Sequence, residues 1–264
     1  MSGFSAAWLA LREPHDLRAR NRDVLDAVVT AFASHISLNV ADIGCGTGST
    51  HRAVSPHLPP GQRWRLYDND LSLLARVASR ADVVTVPLDL SHDLEGALDG
   101  VVDLVATSAL LDLVSADWLE RFATEIAARR LPVYAALSYD GRIEFDLADP
   151  LDDKVVAAVN AHQRTDKGFG AALGPLAAQT AINRFEQLGY AVVQGPSDWV
   201  FQPGDKDIQT ETLTGWAAAA REIGRVPLGE LADWLKRRSD WVAAGRSTIR
   251  VGHVDFFARP IGKR

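Results

Sequence analysis

Several things are scarce in this chain, and each scarcity removes a class of function. There is one cysteine, Cys45, in 264 residues, so no internal disulfide can form and no cysteine cluster can hold zinc or an iron–sulfur centre. No metal site is expected. No apolar run reaches the roughly 18 residues that a membrane helix needs; the longest candidate, VVDLVATSALLDLV, is interrupted by Asp103 and Asp112. The first residues, MSGFSAAWLALREPHD, lack a basic leader followed by a long apolar stretch, which predicts no secretory signal and a cytoplasmic location. Basic residues number 28 against 34 acidic ones, for a net charge of −6 and a pI near 5.6. With no basic run present, nucleic acid and membrane surfaces are not expected partners. Low-complexity tracts and fixed-period repeats are also missing.

What is present alternates. The segment DLRARNRDVLDAVVTAFASHI spaces Leu17, Val24, Leu25, Val28, Val29 and Phe32 at three- and four-residue intervals, one apolar helical face. Pro14 separates it from a shorter preceding piece. Then follow a short strand, LNVADIG; a helix, STHRAVSPHL, that Pro56 limits to a turn or two; a strand, RWRLYDND; a helix, LSLLARVASR, with Asp70 as a candidate N-cap; and a strand, ADVVTVPLDL. A fourth strand in VDLVATSALLDLV leads to the helix DWLERFATEIAARR, where Asp117 and Glu120 stand at capping-box spacing, and to a fifth strand, LPVYAALSYDG. Apolar strands without alternation, separated by helices, predict a parallel sheet covered on both faces. Residues 140–175 are polar and broken. Beyond them lie a helix ending at Gly189, a strand in AVVQGPSDWVF with a bulge signal at Gly195-Pro196, two helical pieces within 203–246, and a closing strand, STIRVGHVDFFARP.

The first strand runs into DIGCGTGS. Glycines after a strand let a ligand lie on bare backbone, while the next helix offers free N–H groups. The dinucleotide pattern G-x-G-x-x-G would need glycine at position 49, which is Ser49; this counts against a nicotinamide dehydrogenase. With Asp42 in front, Gly44, Gly46 and Gly48 form G-x-G-x-G, which resembles motif I of class I S-adenosylmethionine-dependent methyltransferases. The likeness continues in order. Asp68, followed by Asn69, stands where that family holds both ribose hydroxyls with an acid. Asp89 and Leu90 stand where it meets adenine, although Asp89 could instead cap the turn that follows it. Ser108 lies on the strand that passes under the methionine part. Cys45 sits inside the loop, as a packed residue more than a reactive one. The resemblance is specific over roughly residues 38–138. It implies S-adenosylmethionine as cofactor, with Asp42, Gly44, Cys45, Gly46, Gly48, Asp68, Asn69, Asp89, Leu90 and Ser108 contacting it.

It also implies a doubly wound, seven-stranded, mostly parallel sheet of order 3-2-1-4-5-7-6, the last strand antiparallel, in one domain over 1–264. Residues 1–36 would form a helical arm, 37–138 the cofactor-binding core, and 139–175 and 203–246 insertions roofing an acceptor pocket beyond the carboxyl ends of the strands. Within that roof, Tyr139, Arg142, His162, Arg164 and Lys167 are candidates for the acceptor; alternatively, DDKVVAAVNAHQR is an amphipathic helix whose terminal cations complement its dipole. Trp216, Trp234 and Trp241 fit packing better than an acceptor wall. One of Arg18, Arg20 and Arg22 could meet the cofactor carboxylate. The reaction implied is direct methyl displacement onto a small-molecule oxygen or nitrogen. Alternatives are methylation of a protein or tRNA, or a catalytically silent cofactor-binding module. His162, His253 and Asp112 are possible bases, and no constellation selects one. No NPPY-like tetrapeptide follows the fourth strand, which weakens base and glutamine methylation. A monomer or homodimer is expected.

Overall fold

Short apolar runs separated by amphipathic helices build one sheet in the computed structural model of the chain, which describes residues 4–262. Residues 1–3 and 263–264, included in the expected domain, lie outside the described residues. The parallel strands are β1 (Leu38–Ile43), β2 (Gln62–Asp68), β3 (Val83–Pro87), β4 (Leu104–Ser108) and β5 (Val133–Phe145). Then come β6 (Tyr190–Pro196), β7 (Trp199–Phe201) and β8 (Ile249–Pro260), with β8 antiparallel to β5, β6 and β7. The path is β3-β2-β1-β4-β5-β8-β6, and β7 pairs β8 beside it. This is the expected order with one added strand: AVVQGPSDWVF is two strands, β6 and β7, split at Ser197 and Asp198.

The side-chain period of two separates the two faces. On β8, Phe256 joins the core beneath α6 (Ala116–Arg129) and α8 (Ala177–Gln187), with Phe122 and Phe185. Its neighbour Phe257 joins the opposite core beneath α2 (Arg22–Phe32) and α3 (Ser49–Val54), with Val24, Val28, Val54 and Tyr134. Two other helices are single turns. The segment LSLLARVASR is helical only over α4 (Leu71–Leu74), capped by Asp70 as expected, and α5 (Leu94–Ala97) is capped by Asp93.

The N-terminal arm differs from its expected form. α1 (Ala6–Ala19) runs through Pro14, and the break comes at Arg20 and Asn21. Asn21 caps α2 through Val24 N–H (3.1 Å) and donates from Nδ2 to Pro196 O (2.9 Å). Its own N–H is taken by Asp255 Oδ2 at 2.9 Å. Two tertiary bonds and a helix cap at one residue outweigh the local effect of a proline that a helix can absorb as a bend. Gly195 is required opposite: a Cβ there would lie 2.3 Å from Asn21 Nδ2. The cap of α6 is Ser115, not Asp117; Asp117 sits in the first turn, where its charge still suits the dipole.

β5 is longer than expected. It passes register shifts between Ala135 and Ser138 and between Tyr139 and Ile143, and continues to Phe145. The bend places Leu137 at φ +55, and the Leu137 N–H that leaves the ladder is received by Asp255 Oδ1 at 2.7 Å. Past these shifts the outer halves of β5 and β8 stay paired, with β7 beside β8, and carry a third core. It packs β7 with α7 (Asp152–His162), α9 (Lys206–Ile223) and α10 (Leu228–Ala243) around Trp199, Phe201, Leu213 and Trp234. Trp216 packs against this core, and Trp241 covers Arg238, which supports the packing role for the tryptophans. Arg238 has no solvent exposure. Its guanidinium lies 3.7 Å from the Phe145 ring centre and 4.9 Å from that of Trp241, and it donates to Asp152. Among the described residues, no helix is long and apolar enough to cross a membrane.

Asp255 satisfies two backbone N–H groups while itself fully buried. Asp255→Ala leaves both without partners and should lower stability by about 3 kcal/mol; Asp255→Asn, which keeps one acceptor oxygen, should cost less. Urea unfolding midpoints of the three proteins check this order.

Candidate active site

The carboxyl ends of β1, β2 and β4 open into one cleft of about 530 Å³, a volume in the range of small-ligand sites. Its floor is the loop after β1. Gly44, Gly46 and Gly48 have φ of +67, +54 and +81, conformations that a side chain strains. Opposite, Asp68 ends β2. Its Oδ2 accepts Gly46 N–H at 2.8 Å and its Oδ1 accepts Asp70 N–H at 2.9 Å. One carboxylate thus ties the glycine loop to the β2 turn. Each of its oxygens keeps a second lone pair for another donor.

Of the residues singled out from the sequence, the structure brings Gly44, Cys45, Gly46, Asp68, Asn69, Leu90, Ser108 and Lys167 to this cleft. Cys45 is buried, and burial pushes its thiol well above the usual range, with Asp42 and Asp68 adding to the shift. Gly48 sits behind the floor and begins α3. Asp89 does not line the cleft; its Oδ1 caps the following turn, accepting Ser91 N–H (3.0 Å) and Oγ–H (2.6 Å), while the neighbouring Leu90 faces the cavity. Ser108 Oγ accepts from Arg20 Nη2 at 2.9 Å, and Arg20 Nη1 donates to Tyr134 OH at 3.1 Å. Arg20 is therefore the buried member of the three arm arginines, whereas Arg18 and Arg22 are exposed.

Most of the acceptor candidates lie elsewhere. Tyr139 donates to Asn160 Oδ1 at 2.8 Å, and Arg142 is held between Asp140 and Asp198. Arg164 is exposed and outside the cleft wall. His162 is one residue removed from the wall, reached through Lys167. His253 is buried beside Trp199 (4.8 Å between ring centres) and donates from Nδ1 to Val251 O. Burial, with Arg12 nearby, lowers its pKa to about 3, so its ring is a weak proton acceptor. Asp112 is buried off the wall, and burial raises it to about 6. The stretch 139–175 supplies Lys167 and Phe169 to the cleft, but 203–246 supplies no wall residue. That second stretch backs α7 instead of roofing the cavity, because α9 and α10 fill the third core.

The family resemblance puts the arm over the active-site side, but it did not single out the arm residues that form the wall. Leu9, Arg12 and Asp16 line the cleft from α1. Arg12 grips Asp16 through Nε (2.9 Å) and Nη2 (3.2 Å), and its guanidinium lies 5.0 Å from the Trp199 ring centre. Trp199 Nε1 donates to Asp16 Oδ1 at 2.9 Å. The Arg12–Asp16 spacing of four was visible; nothing local said that this face would turn inward. Among the described residues, no group of His, Cys, Asp and Glu is placed to hold a metal ion.

Asp42 lies beneath the glycine loop with no solvent exposure, and neither oxygen forms a well-made hydrogen bond. Burial raises it to about 8, with Asp68 adding to the shift while Arg20 and the Thr50 hydroxyl offset part of it.

No family model matches the chain, and no curated protein does. Solved structures do. A cyclopropane-fatty-acyl-phospholipid synthase-like protein from Lactobacillus casei is 14% identical, with a TM-score of 0.56 over 97% of this chain and 94% of the other. The cyclopropane synthase MmaA2 from Mycobacterium tuberculosis is 11% identical, with a TM-score of 0.51 over 97% and 95%. At these identities the likeness shows a shared fold, the Rossmann-like fold that the sequence resemblance implied.

Asp42 also sets a pH dependence. The folded chain holds this proton up to about 8, whereas an unfolded chain releases it near about 3.9. The folded state therefore binds the extra proton across that window, and stability falls as pH rises through it. Asp42→Asn should remove this slope. Between about pH 5 and pH 8 the parent should lose roughly 4 kcal/mol relative to the variant, read from urea unfolding at each pH.

Proposed function

We propose that the chain is an S-adenosylmethionine-dependent methyltransferase acting on a small-molecule acceptor through an oxygen or nitrogen. The observation that carries this reading is the bond from Gly46 N–H to Asp68 across one cleft, in a loop whose three glycines all have positive φ. The open backbone at Gly44 and Gly46 gives a flat ligand surface, and the spare lone pairs of Asp68 suit two vicinal hydroxyls. Ser49 where a dinucleotide loop has its third glycine argues in the same direction. The residues present thus fit the cofactor. Asp68 and Asn69 would hold its ribose, Leu90 its adenine, and the Ser108–Arg20 pair its amino-acid end. When bound, the cofactor supplies a methyl group on a positively charged sulfur. The protein's share is to align the acceptor and exclude water.

The cleft does not stop at the cradle. It continues to Arg12, Lys167 and Phe169, with Leu9, Leu110 and Leu113 beside them. A silent module that only held the cofactor would have no use for this end, so it favours an enzyme. An apolar wall with one arginine–aspartate pair and one lysine suits an acceptor with an apolar body and a polar group. Methylation of a protein or tRNA fits less well, given the net charge of −6. This reading goes with a cytoplasmic enzyme, monomeric or homodimeric, in one domain whose arm and first insertion close over the acceptor.

Calorimetry tests it. S-adenosylhomocysteine should bind and NADH should not. Asp68→Ala should weaken S-adenosylhomocysteine at least about tenfold, the equivalent of roughly 1.4 kcal/mol. Tight NADH binding without a response to S-adenosylhomocysteine would reverse the assignment.

A further inference from the structure

Lys167 reaches the cleft on the hairpin that follows α7, and no ion pair of its ammonium is formed among the described residues. Its Nζ has two polar neighbours: Thr165 Oγ1 at 3.0 Å and His162 Nδ1 at 3.3 Å. The Thr165 hydroxyl hydrogen is spent on His162 O at 2.8 Å, so towards Lys167 the oxygen accepts. On the far side of the ring, His162 Nε2 lies 3.0 Å from Glu222 Oε2. An ionised carboxylate only accepts, so in the neutral ring the hydrogen sits on Nε2 and Nδ1 presents a lone pair. Both contacts of Nζ are therefore donations. One tetrahedral position of the nitrogen remains, on a side chain that lines the cleft: an N–H in the ammonium, a lone pair in the amine.

The other titratable groups at the cleft are already committed. Asp16 is gripped by Arg12 and Trp199, and Asp68 by two backbone N–H groups. We propose, resting on the methyltransferase reading, that Lys167 is the proton acceptor for an O–H or N–H acceptor. As the acceptor atom bonds to the methyl carbon, the carbon–sulfur bond breaks and its electron pair stays on sulfur. The acceptor's proton passes to the lone pair of Nζ, giving the ammonium. Nζ then hands a proton to His162 Nδ1 while the Nε2 hydrogen passes to Glu222, whose side chain is 63% exposed and delivers it to water. Burial in the cleft lowers the Lys167 pKa, while Glu222 opposes the shift; a lysine is readily moved this way. His162 from α7 contacts it and Glu222 from α9 acts on it, while Arg12 and Asp16 from α1, Asp68 from β2 and Asp70 line the same cleft.

Competitive acetylation with acetic anhydride across pH, read by mass spectrometry on the full chain with and without S-adenosylhomocysteine, tests the assignment. Lys167 should titrate below the ordinary lysine value of about 10.4. Glu222→Gln, which removes the opposing charge at an exposed position, should move the midpoint further down. Nitrogen-15 spectra of histidine-labelled protein should show the His162 hydrogen on Nε2. A midpoint at or above the ordinary value, or a neutral His162 protonated on Nδ1, overturns the proposal. Calorimetry on the same sample separates the two readings. If S-adenosylhomocysteine binds and Lys167 titrates ordinarily, only the lysine assignment fails. If it does not bind, the methyltransferase reading fails and takes the lysine's role with it.

Discussion

The carboxylate of Asp255 is the point on which the architecture turns. One oxygen receives the Leu137 N–H that the bend in β5 releases, and the other receives the N–H of Asn21. The first bond lets β5 bend and, still paired with β8, carry the third core. The second fixes where the arm breaks, and so where α1 lies. Because α1 starts from that fixed corner, Leu9, Arg12 and Asp16 fall on the cleft and not in solvent. Two halves of the molecule far apart in sequence are positioned by two bonds to one buried residue.

The cleft follows a similar economy. Asp68 and Asp42 are acids on neighbouring strands beside the glycine loop, with opposite environments. Asp68 receives two backbone N–H groups and stands at the cavity wall. Asp42 is sealed below it, and desolvation keeps its proton on. A charge at the wall suits hydroxyl recognition, while a neutral acid below avoids two like charges under one ligand. The far end of the cleft is built differently, from side chains on the arm and on the 165–171 hairpin, so its lining is set by elements outside the sheet.

Much of this was legible in the sequence. Continuous apolar strands between helices gave the parallel sheet, and the family resemblance carried by Gly44, Gly46, Gly48 and Asp68 pointed to its carboxyl edge, where the cleft lies. These are local signals with local causes. What stayed hidden depended on distant partners. Ser115 caps α6 in place of Asp117, and the arm breaks at Asn21 in place of Pro14, because a partner elsewhere selects among adequate local choices. Arg142 reads as an acceptor candidate, yet Asp198 from the turn between β6 and β7 holds it. Arg12 and Asp16 read as an ordinary helical pair; only the position of α1 over the sheet turns them into wall residues. Phe169 carries no periodic signal at all, being one ring on a hairpin between two glycines.

The burial of Arg238 has a consequence for how this molecule opens. A guanidinium does not give up its charge in a protein, so any movement that separates it from Asp152, Phe145 or Trp241 strands a cation in an apolar layer unless all of them part together. Those partners lie on α7, on the outer end of β5 and on α10 itself. Local opening of that region is therefore all-or-none. The expected consequence is that amide hydrogens in these three segments exchange with solvent at a common rate, as a unit distinct from the glycine loop and the sheet that holds it.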